Sequence, residues 1–586
     1  MKKYFFPQQL AVLRILVVLG FLMVSLNAHA THKRAGNLFF KSDTTAARNP
    51  LRFFFKLVTY TVKAPGAIED VEATLYFGDC STPQTSNRTV RAELVNGEYS
   101  SWVNTYYFEH TYASEGTYTV SYVAENRNWG IINVTNSVQQ TFFLTATITV
   151  DQFLGLNRSP ILQVPPIDVA DINSVFTHNP GAYDPDGDSL VFRMVEPKID
   201  GGRNACGDPV WRTALGYTGL ENFLGVPTDA TVASFRLDPN TGQLTWNTPS
   251  RLGAYAVAIV VEEWRAGRLI GRVVRDMQIL VMDISNKPPK LLLPADICLV
   301  AGTSVQHVIK ATDLENQPVV IKSYLGNLSS TFVKSATEEN SYSFSLPSEC
   351  LAVRRQPYQV VFRAVDVPPA GVQPLADVQA WRVTMVGPAP VLSSVVRQAN
   401  NSIRVAWQAY ACSGARKIYI YRKEGPSTFS PGGCETGIPP SSGFIKVGEV
   451  AANATSFLDS NNGQGLPVDK TYYYRIYADF DGPAGGKSLA STELGSTITG
   501  LAEELQPQLT FYPNPAQDFF QVKTTASIKV FGAEVYTLQG KKVQTLPAQQ
   551  TIDGLSFSVQ GLAQGMYVIK LQTSQGQWVQ RLIIAR

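Results

Sequence analysis

Apolar and polar residues alternate in short runs along almost the whole chain. Leu51 to Val62 (LRFFFKLVTYTV), Thr117 to Ala124 and Thr141 to Val150 are rich in aromatic and β-branched residues, and Tyr255 to Val261 and Val273 to Val281 repeat the type. Gly, Pro, Asn and Asp clusters bound each run, the mark of strands closed by turns. No stretch of about fifteen residues holds a 3.6-residue apolar period, so helices are not expected. Regular short strands over 586 residues predict an all-β chain, a string of β-sandwiches.

Pro-rich joints divide the string. Asn157-Arg-Ser-Pro-Ile, Asn286-Lys-Pro-Pro-Lys, Val386-Gly-Pro-Ala-Pro and Ala502-Glu-Glu-Leu-Gln-Pro-Gln each fix φ and cannot continue a sheet ladder. They place sandwiches at 31–157, 158–286, 287–386, 387–501 and 509–586. These are ordinary sandwich sizes, and the length alone calls for about four to six domains.

The first 30 residues read as an export signal. Lys2 and Lys3 form a positive start, Ile15 to Leu26 is apolar, and Ala28-His29-Ala30 is an A-x-A cleavage site that leaves Thr31 as the mature start. The apolar run is short of the about 20 residues that a bilayer span needs, and no later stretch approaches about 18 apolar residues, so no transmembrane span is expected in the mature chain. Net charge is +3, and that excess resides in the signal. A mature chain near neutrality is a poor match for non-specific nucleic-acid binding, which needs a basic surface. Six cysteines, at 80, 206, 298, 350, 412 and 434, all follow the cleavage site, which in an exported chain predicts disulfides. Cys298 with Cys350, and Cys412 with Cys434, fall inside single expected sandwiches. Cys80 and Cys206 are left over and can pair only if the first two sandwiches lie side by side, within about 7 Å between Cα atoms.

Several motifs carry family resemblances. Tyr76-Phe-Gly-Asp-Cys80, His110-Thr-Tyr112 and Gly116-Thr-Tyr-Thr-Val120 resemble the polycystic-kidney-disease type of immunoglobulin-like repeat, with Cys80 where that repeat has a second Gly. Tyr183-Asp-Pro-Asp-Gly-Asp-Ser-Leu190 and Leu237-Asp-Pro-Asn-Thr-Gly-Gln-Leu-Thr-Trp246 resemble bacterial cadherin-like modules, and Ala311-Thr-Asp-Leu-Glu-Asn-Gln317 is a degenerate version. Ile403 to Trp407, Lys417 to Arg422 and Thr471 to Ala478 resemble strands B, C and F of a fibronectin type III domain, with Trp407 in its core. The end of the chain is the most specific. Phe511-Tyr512-Pro513-Asn514-Pro515, Val535 to Gly540, Gly565-Met566-Tyr567 and Trp578 to Arg586 resemble, in order, the type A C-terminal sorting domain of the Bacteroidota type IX secretion system. Ala585-Arg586 replaces the commoner Val-Lys ending. The resemblance implies type IX secretion machinery as a partner, and passage through the periplasm to the outer surface or the medium. It also implies removal of the domain and attachment of the remainder to a surface polysaccharide anchor.

Candidate chemistry is sparse. Four histidines remain after the signal, far apart in sequence, and no H-E-x-x-H, G-x-S-x-G or phosphate loop occurs. Asp184, Asp186 and Asp188 alternate around Pro185 and Gly187 and would repel unless solvated or bridged by a hard cation. Calcium is the one cofactor they suggest, since it takes six to eight oxygens, against the alternative of a water-facing Asx-turn. The expected function is that of a non-catalytic modular surface or secreted protein in adhesion, matrix contact or gliding, with a glycan or protein ligand. One alternative is a glycan-binding protein stacking sugars on Trp102, Trp129, Trp211 or Trp264. The other is a hydrolase hidden in residues 31–286.

Overall fold

The computed structural model describes residues 33–63, 70–97, 99–226, 232–480, 484–496, 509–524, 528–551, 554–574 and 576–586. The expected signal at 1–30 lies outside the described residues. Strands supply nearly all the regular structure, joined in places by three-residue 3-10 turns, so the chain is all-β. Among the described residues, no helix is long and apolar enough to cross a membrane. They divide into two compact units, one ending at Pro388 and one beginning at Ala389, with Phe480–Lys487 grouped with the first.

In the first unit the two N-terminal sandwiches are not separate. A 14-stranded sheet runs through the order Glu72–Tyr76, Gly116–Ala124, Phe142–Val150, Arg268–Met282, Lys33–Ser42, Arg52–Val62 and Ser101–Thr111. The strand Arg268–Met282 belongs in sequence to the second expected sandwich, yet it lies between two strands of the first. It pairs Asp276 with Gly36 and Val273 with Ala146. One apolar core accordingly extends from Ala35 to Val281. The expected boundary at Asn157 therefore falls inside a continuous structure. Asn157 and Ser159 are buried there, and Asn157 O accepts from Ser42 N at 2.8 Å while Ser159 Oγ accepts from Phe40 N at 3.0 Å. A Pro-rich segment can be sewn down by hydrogen bonds, and its composition does not reveal whether it is.

The strands Gly253–Arg265 and Arg268–Met282 form a long hairpin closed by Ala266 and Gly267, both at positive φ (51° and 81°), a tight two-residue turn. Residues 287–386 form the third expected sandwich. Lys290–Leu292, Ser304–Thr312, Ser341–Pro347 and Thr331–Lys334 make one sheet. Ile297–Val300, Ala376–Val386, Tyr358–Asp366 and Val319–Tyr324 make the other. This is the ABED-over-CFG arrangement of immunoglobulin-like domains, packed on Phe344, Phe362 and Trp381.

In the second unit, Leu392–Arg397, Ile403–Trp407 and Ser456–Asp459 face a sheet that includes Ile445–Ala451, Lys417–Glu424 and Tyr472–Phe480, the fibronectin-like order. Trp407 is buried, as its alternating neighbours predict, with Nε1 donating to Ala454 O. Residues 509–586 fold as a sandwich of two four-stranded sheets around Phe520, Val535, Phe557, Ile569 and Trp578.

Candidate functional site

The Asp-rich loop is a turn before it is anything else. Pro185 fixes one φ, Gly187 supplies a positive one (86°), and Asp184 Oδ1 accepts from the backbone N–H groups of Asp186 (2.8 Å) and Asp188 (3.0 Å). The turn draws the three carboxylates to within 4.8 Å of one another, with Asp184 and Asp188 buried.

Two arginines have already claimed these oxygens. Arg158 donates from Nε and Nη2 to Asp186 Oδ1 (2.9 and 2.7 Å) and from its backbone N to Oδ2 (2.7 Å). Arg265 donates from Nε to Asp188 Oδ1 (2.9 Å) and from Nη2 to Oδ2 (2.5 Å). It also satisfies Leu154 O, Leu156 O and Asn157 Oδ1. The guanidinium thus sits among the oxygens that a hard cation would need. Calcium requires six to eight oxygen ligands; here Asp186 and Asp188 are committed to arginines and Asp184 Oδ1 to the turn. The residues do not fit a calcium ion while Arg265 is in place.

A fourth acid joins the cluster. Glu263 is fully buried; its Oε2 accepts from Asn157 Nδ2 at 3.2 Å and its Oε1 has no hydrogen-bond partner. Burial, then the charges of Asp184 and Asp188, push its carboxyl well above the ordinary range. Burial pushes Asp184 up to about 7 against its two backbone donors, and its Oδ2 is likewise unpartnered. The sequence held a signal for Glu263. Glu262 and Glu263 are adjacent in a strand, so one of them must point to the inner face.

The tryptophans considered as sugar platforms lie on separate elements. Lys63 and Arg91 cover Trp102, with Nζ 5.1 Å and Cζ 4.0 Å from the ring. Lys198 lies 4.2 Å over Trp211, while Trp264 donates to Glu262 Oε2 and Trp129 is exposed in a loop. His110, in the strand Ser101–Thr111, pairs with Asp79 at 2.7 Å and stacks on Phe77 at 4.0 Å, a packed residue.

A groove that the sequence reading passed over lies on the outer face of the Lys33–Ser42, Arg52–Val62 and Ser101–Thr111 strands. Phe53, Phe55 and Leu57 fill the core, so Phe54, Lys56 and Tyr60 face outward by strand alternation. Phe39, Lys56 and Tyr107 stand abreast in one row, and Lys41 and Phe54 in the next. Arg158, Ser159, Ile161, Leu162, Tyr183 and Pro185 wall one side of a groove of about 740 Å³. Among the described residues the lining carries Lys41, Lys56 and Arg158 and no carboxylate.

All six cysteines are disulfide-bonded. Cys80 pairs with Cys206, with Cα atoms 5.1 Å apart, joining the Tyr76–Ser81 turn to the loop at 204–208. Cys298 lies in a strand, Cys350 in a 3-10 turn, Cys412 is buried and Cys434 is exposed in a loop.

In the C-terminal sandwich the sequence motifs converge. Asn514 Oδ1 accepts from Ile583 N (2.8 Å) and its Nδ2 donates to Arg581 O (2.7 Å), so the Tyr512–Pro515 turn is stitched to the last strand. Met566 is exposed and Tyr567 donates to Ala563 O, on the strand Gly565–Thr573 that pairs with that same last strand.

Residues 510–585 match the family model for the secretion system C-terminal sorting domain. No curated protein matches the chain. Among solved structures, Sidekick-1 immunoglobulin domains 1–5 align at 9% identity over 88% of this chain and 99% of that one, with a TM-score of 0.19. The chicken CNTN1 FN1–FN3 domains align at 13% identity over 51% of this chain and 99% of that one, with a TM-score of 0.19.

Proposed function

We propose, from the premise that residues 510–585 are a type IX sorting domain, that this chain is a non-catalytic modular protein working in adhesion, matrix contact or gliding at the cell surface. The sorting tail implies export to the surface or the medium. It is the single observation that carries the reading, and the sandwiches ahead of it are the cargo. Sandwich modules present binding surfaces on rigid sheets and end loops. Asp184, Asp188 and Glu263 are buried, and Asp188 is held in a two-pronged pair with Arg265, which favours a structural role over acid–base chemistry. The family resemblance adds that the tail is cleaved on passage and the remainder joined to surface polysaccharide. Protease shaving of intact cells tests the reading: the full chain should be digested from outside, and the chain lacking residues 509–586 should be protected in the periplasm. Surface display of the truncated chain would overturn it.

A second reading, glycan binding, is favoured by the ring-lined groove on the outer sheet face. There Phe39 and Tyr107 offer flat apolar surfaces beside the Lys56 ammonium group, while Lys41 and Arg52 lie over Phe54. Retention of the full chain on immobilised glycans tests it.

A further inference from the structure

We infer that the groove over the Lys33–Ser42, Arg52–Val62 and Ser101–Thr111 strands binds a stretch of acidic polysaccharide, a glycan whose sugars carry carboxylate or sulfate groups. The inference rests on the glycan-binding reading and names its ligand class.

Charge is the first argument. Among the described residues, three cations line the groove and no acid does. The acids at its margin are already used: Glu109 takes Arg52 at 2.7 Å, and Asp186 takes Arg158. Lys41 and Lys56 are exposed and have no ion pair among the described residues. Two uncompensated ammonium groups on one face attract an anion and discriminate against a neutral chain.

A buried charge lies behind the same face. Arg275 is fully buried, donates from Nε to Asn37 Oδ1 (3.0 Å) and from Nη1 to Val164 O (2.7 Å), and leaves Nη2 without a partner. Asn37 lines the groove, and Arg275 also acts on Tyr60, another lining residue. The guanidinium has no salt bridge among the described residues, although buried Asp168 acts on it, and it adds positive charge behind the groove rather than within it.

The apolar part of the lining selects the kind of anion. Lys41 Nζ lies 5.6 Å from the Phe54 ring centroid, and Tyr107 stands beside Lys56. Arg52 Cζ also lies 5.0 Å over Phe54, so the ring left open next to a lysine is Tyr107, in register with Lys56. The C–H groups on a pyranose face are weakly positive and pack on the electron-rich face of an aromatic ring. An anionic substituent on the same sugar then meets the neighbouring lysine. From Phe54 to Tyr60 the face extends about 20 Å, long enough for several sugars of one chain. The groove lies on a sheet face and not on an edge, so a peptide could not gain affinity by adding a strand to it.

The test uses the full purified chain and equilibrium binding to polygalacturonate, to neutral dextran and to polyglutamate. Polygalacturonate should bind with a marked loss of affinity as salt is raised, and dextran at least tenfold more weakly. Lys41→Glu with Lys56→Glu should weaken polygalacturonate binding tenfold or more, and Tyr107→Ala several-fold, while Lys334→Glu on a distant strand should leave it unchanged. The milder Lys41→Gln with Lys56→Gln pair, checked for an unaltered melting temperature, guards against a folding effect. Dextran binding as tight as polygalacturonate overturns the acidic ligand and leaves the glycan reading standing. Binding of neither glycan overturns both. Polyglutamate binding as tightly as polygalacturonate, or groove variants binding like the parent chain, overturns the inference.

Discussion

Arg265 and Asp188, 77 residues apart in sequence, meet in a two-pronged ion pair, Nε to Oδ1 at 2.9 Å and Nη2 to Oδ2 at 2.5 Å, beneath the Asp-rich loop. Asp188 is 4% exposed and Arg265 7%. The pair sets an internal cation, built into the adjoining strand, against the aspartates that crowd the turn, with Asp186 3.8 Å from the same guanidinium.

The first prediction follows from that cation. Melting of the full chain should not change when calcium is removed with chelator and then restored. Replacing Arg265 with Met leaves Asp188 buried without its partner, which costs about 3–5 kcal/mol and should lower the melting temperature by several degrees. A calcium-dependent rise in the parent chain's melting temperature would show that an ion, and not Arg265, closes the loop.

The second concerns pH. Asp184 holds its proton up to about 7 in the folded chain, whereas an unfolded aspartate releases it near 3.9. The stability this contributes is fully present below about pH 4 and is lost as pH rises through 7. Three units at 1.36 kcal/mol each set an upper bound of about 4 kcal/mol. Asp184→Asn keeps the acceptor for the two turn N–H groups but removes the titration. Denaturant melts of both chains at intervals from pH 4 to 8 should show the parent losing stability relative to the variant as pH rises. A difference that is flat across that window would refute the assignment.

The third concerns Cys80 and Cys206. They are 126 residues apart, and closing so long a loop is worth about 4–5 kcal/mol in the chain-entropy model. Cys80→Ser with Cys206→Ser should therefore fold but melt much earlier, and non-reducing peptide mapping of the parent should recover the two cysteines in one disulfide-linked fragment. Recovery of Cys80 linked to any other cysteine would contradict the packing of the first unit.

Local sequence signals were legible and long-range pairings were not. The runs at Leu51 to Val62 and Val273 to Val281 announce strands because alternation reports which side chains face a core. It does not report which strand lies alongside. The insertion of Arg268–Met282 between Lys33–Ser42 and Phe142–Val150 was thus hidden, and with it the fusion of the first two sandwiches. The same limit applies to the Asp loop. Its three acids are contiguous in sequence, but Arg265 and Glu263 reach it from a distant strand. Cys80 shows the opposite case. It replaces a Gly of the repeat it resembles and keeps the left-handed backbone that explains the Gly, with φ at 63°. The groove went unread because Phe54 and Tyr107 look like core residues until the sheet assigns them to the outer face.

The last prediction concerns the export tail. The side chain of Asn514 makes both of its hydrogen bonds to the backbone of the final strand, at Arg581 O and Ile583 N. Asn514→Ala removes both, at about 1–2 kcal/mol for a pair of exposed bonds. The core around Phe520, Phe557 and Trp578 is untouched, so the sandwich should still fold. The loss should appear as faster amide exchange at Ile583 and its neighbours, without a matching change in the strand Phe519–Thr524. If the secretion machinery reads the docked final strand, the variant should accumulate in the periplasm while a Lys523→Gln control, on a strand of the opposite sheet, reaches the surface normally. Faster exchange with undiminished surface display would mean that recognition does not depend on the stitch between the Tyr512–Pro515 turn and the end of the chain.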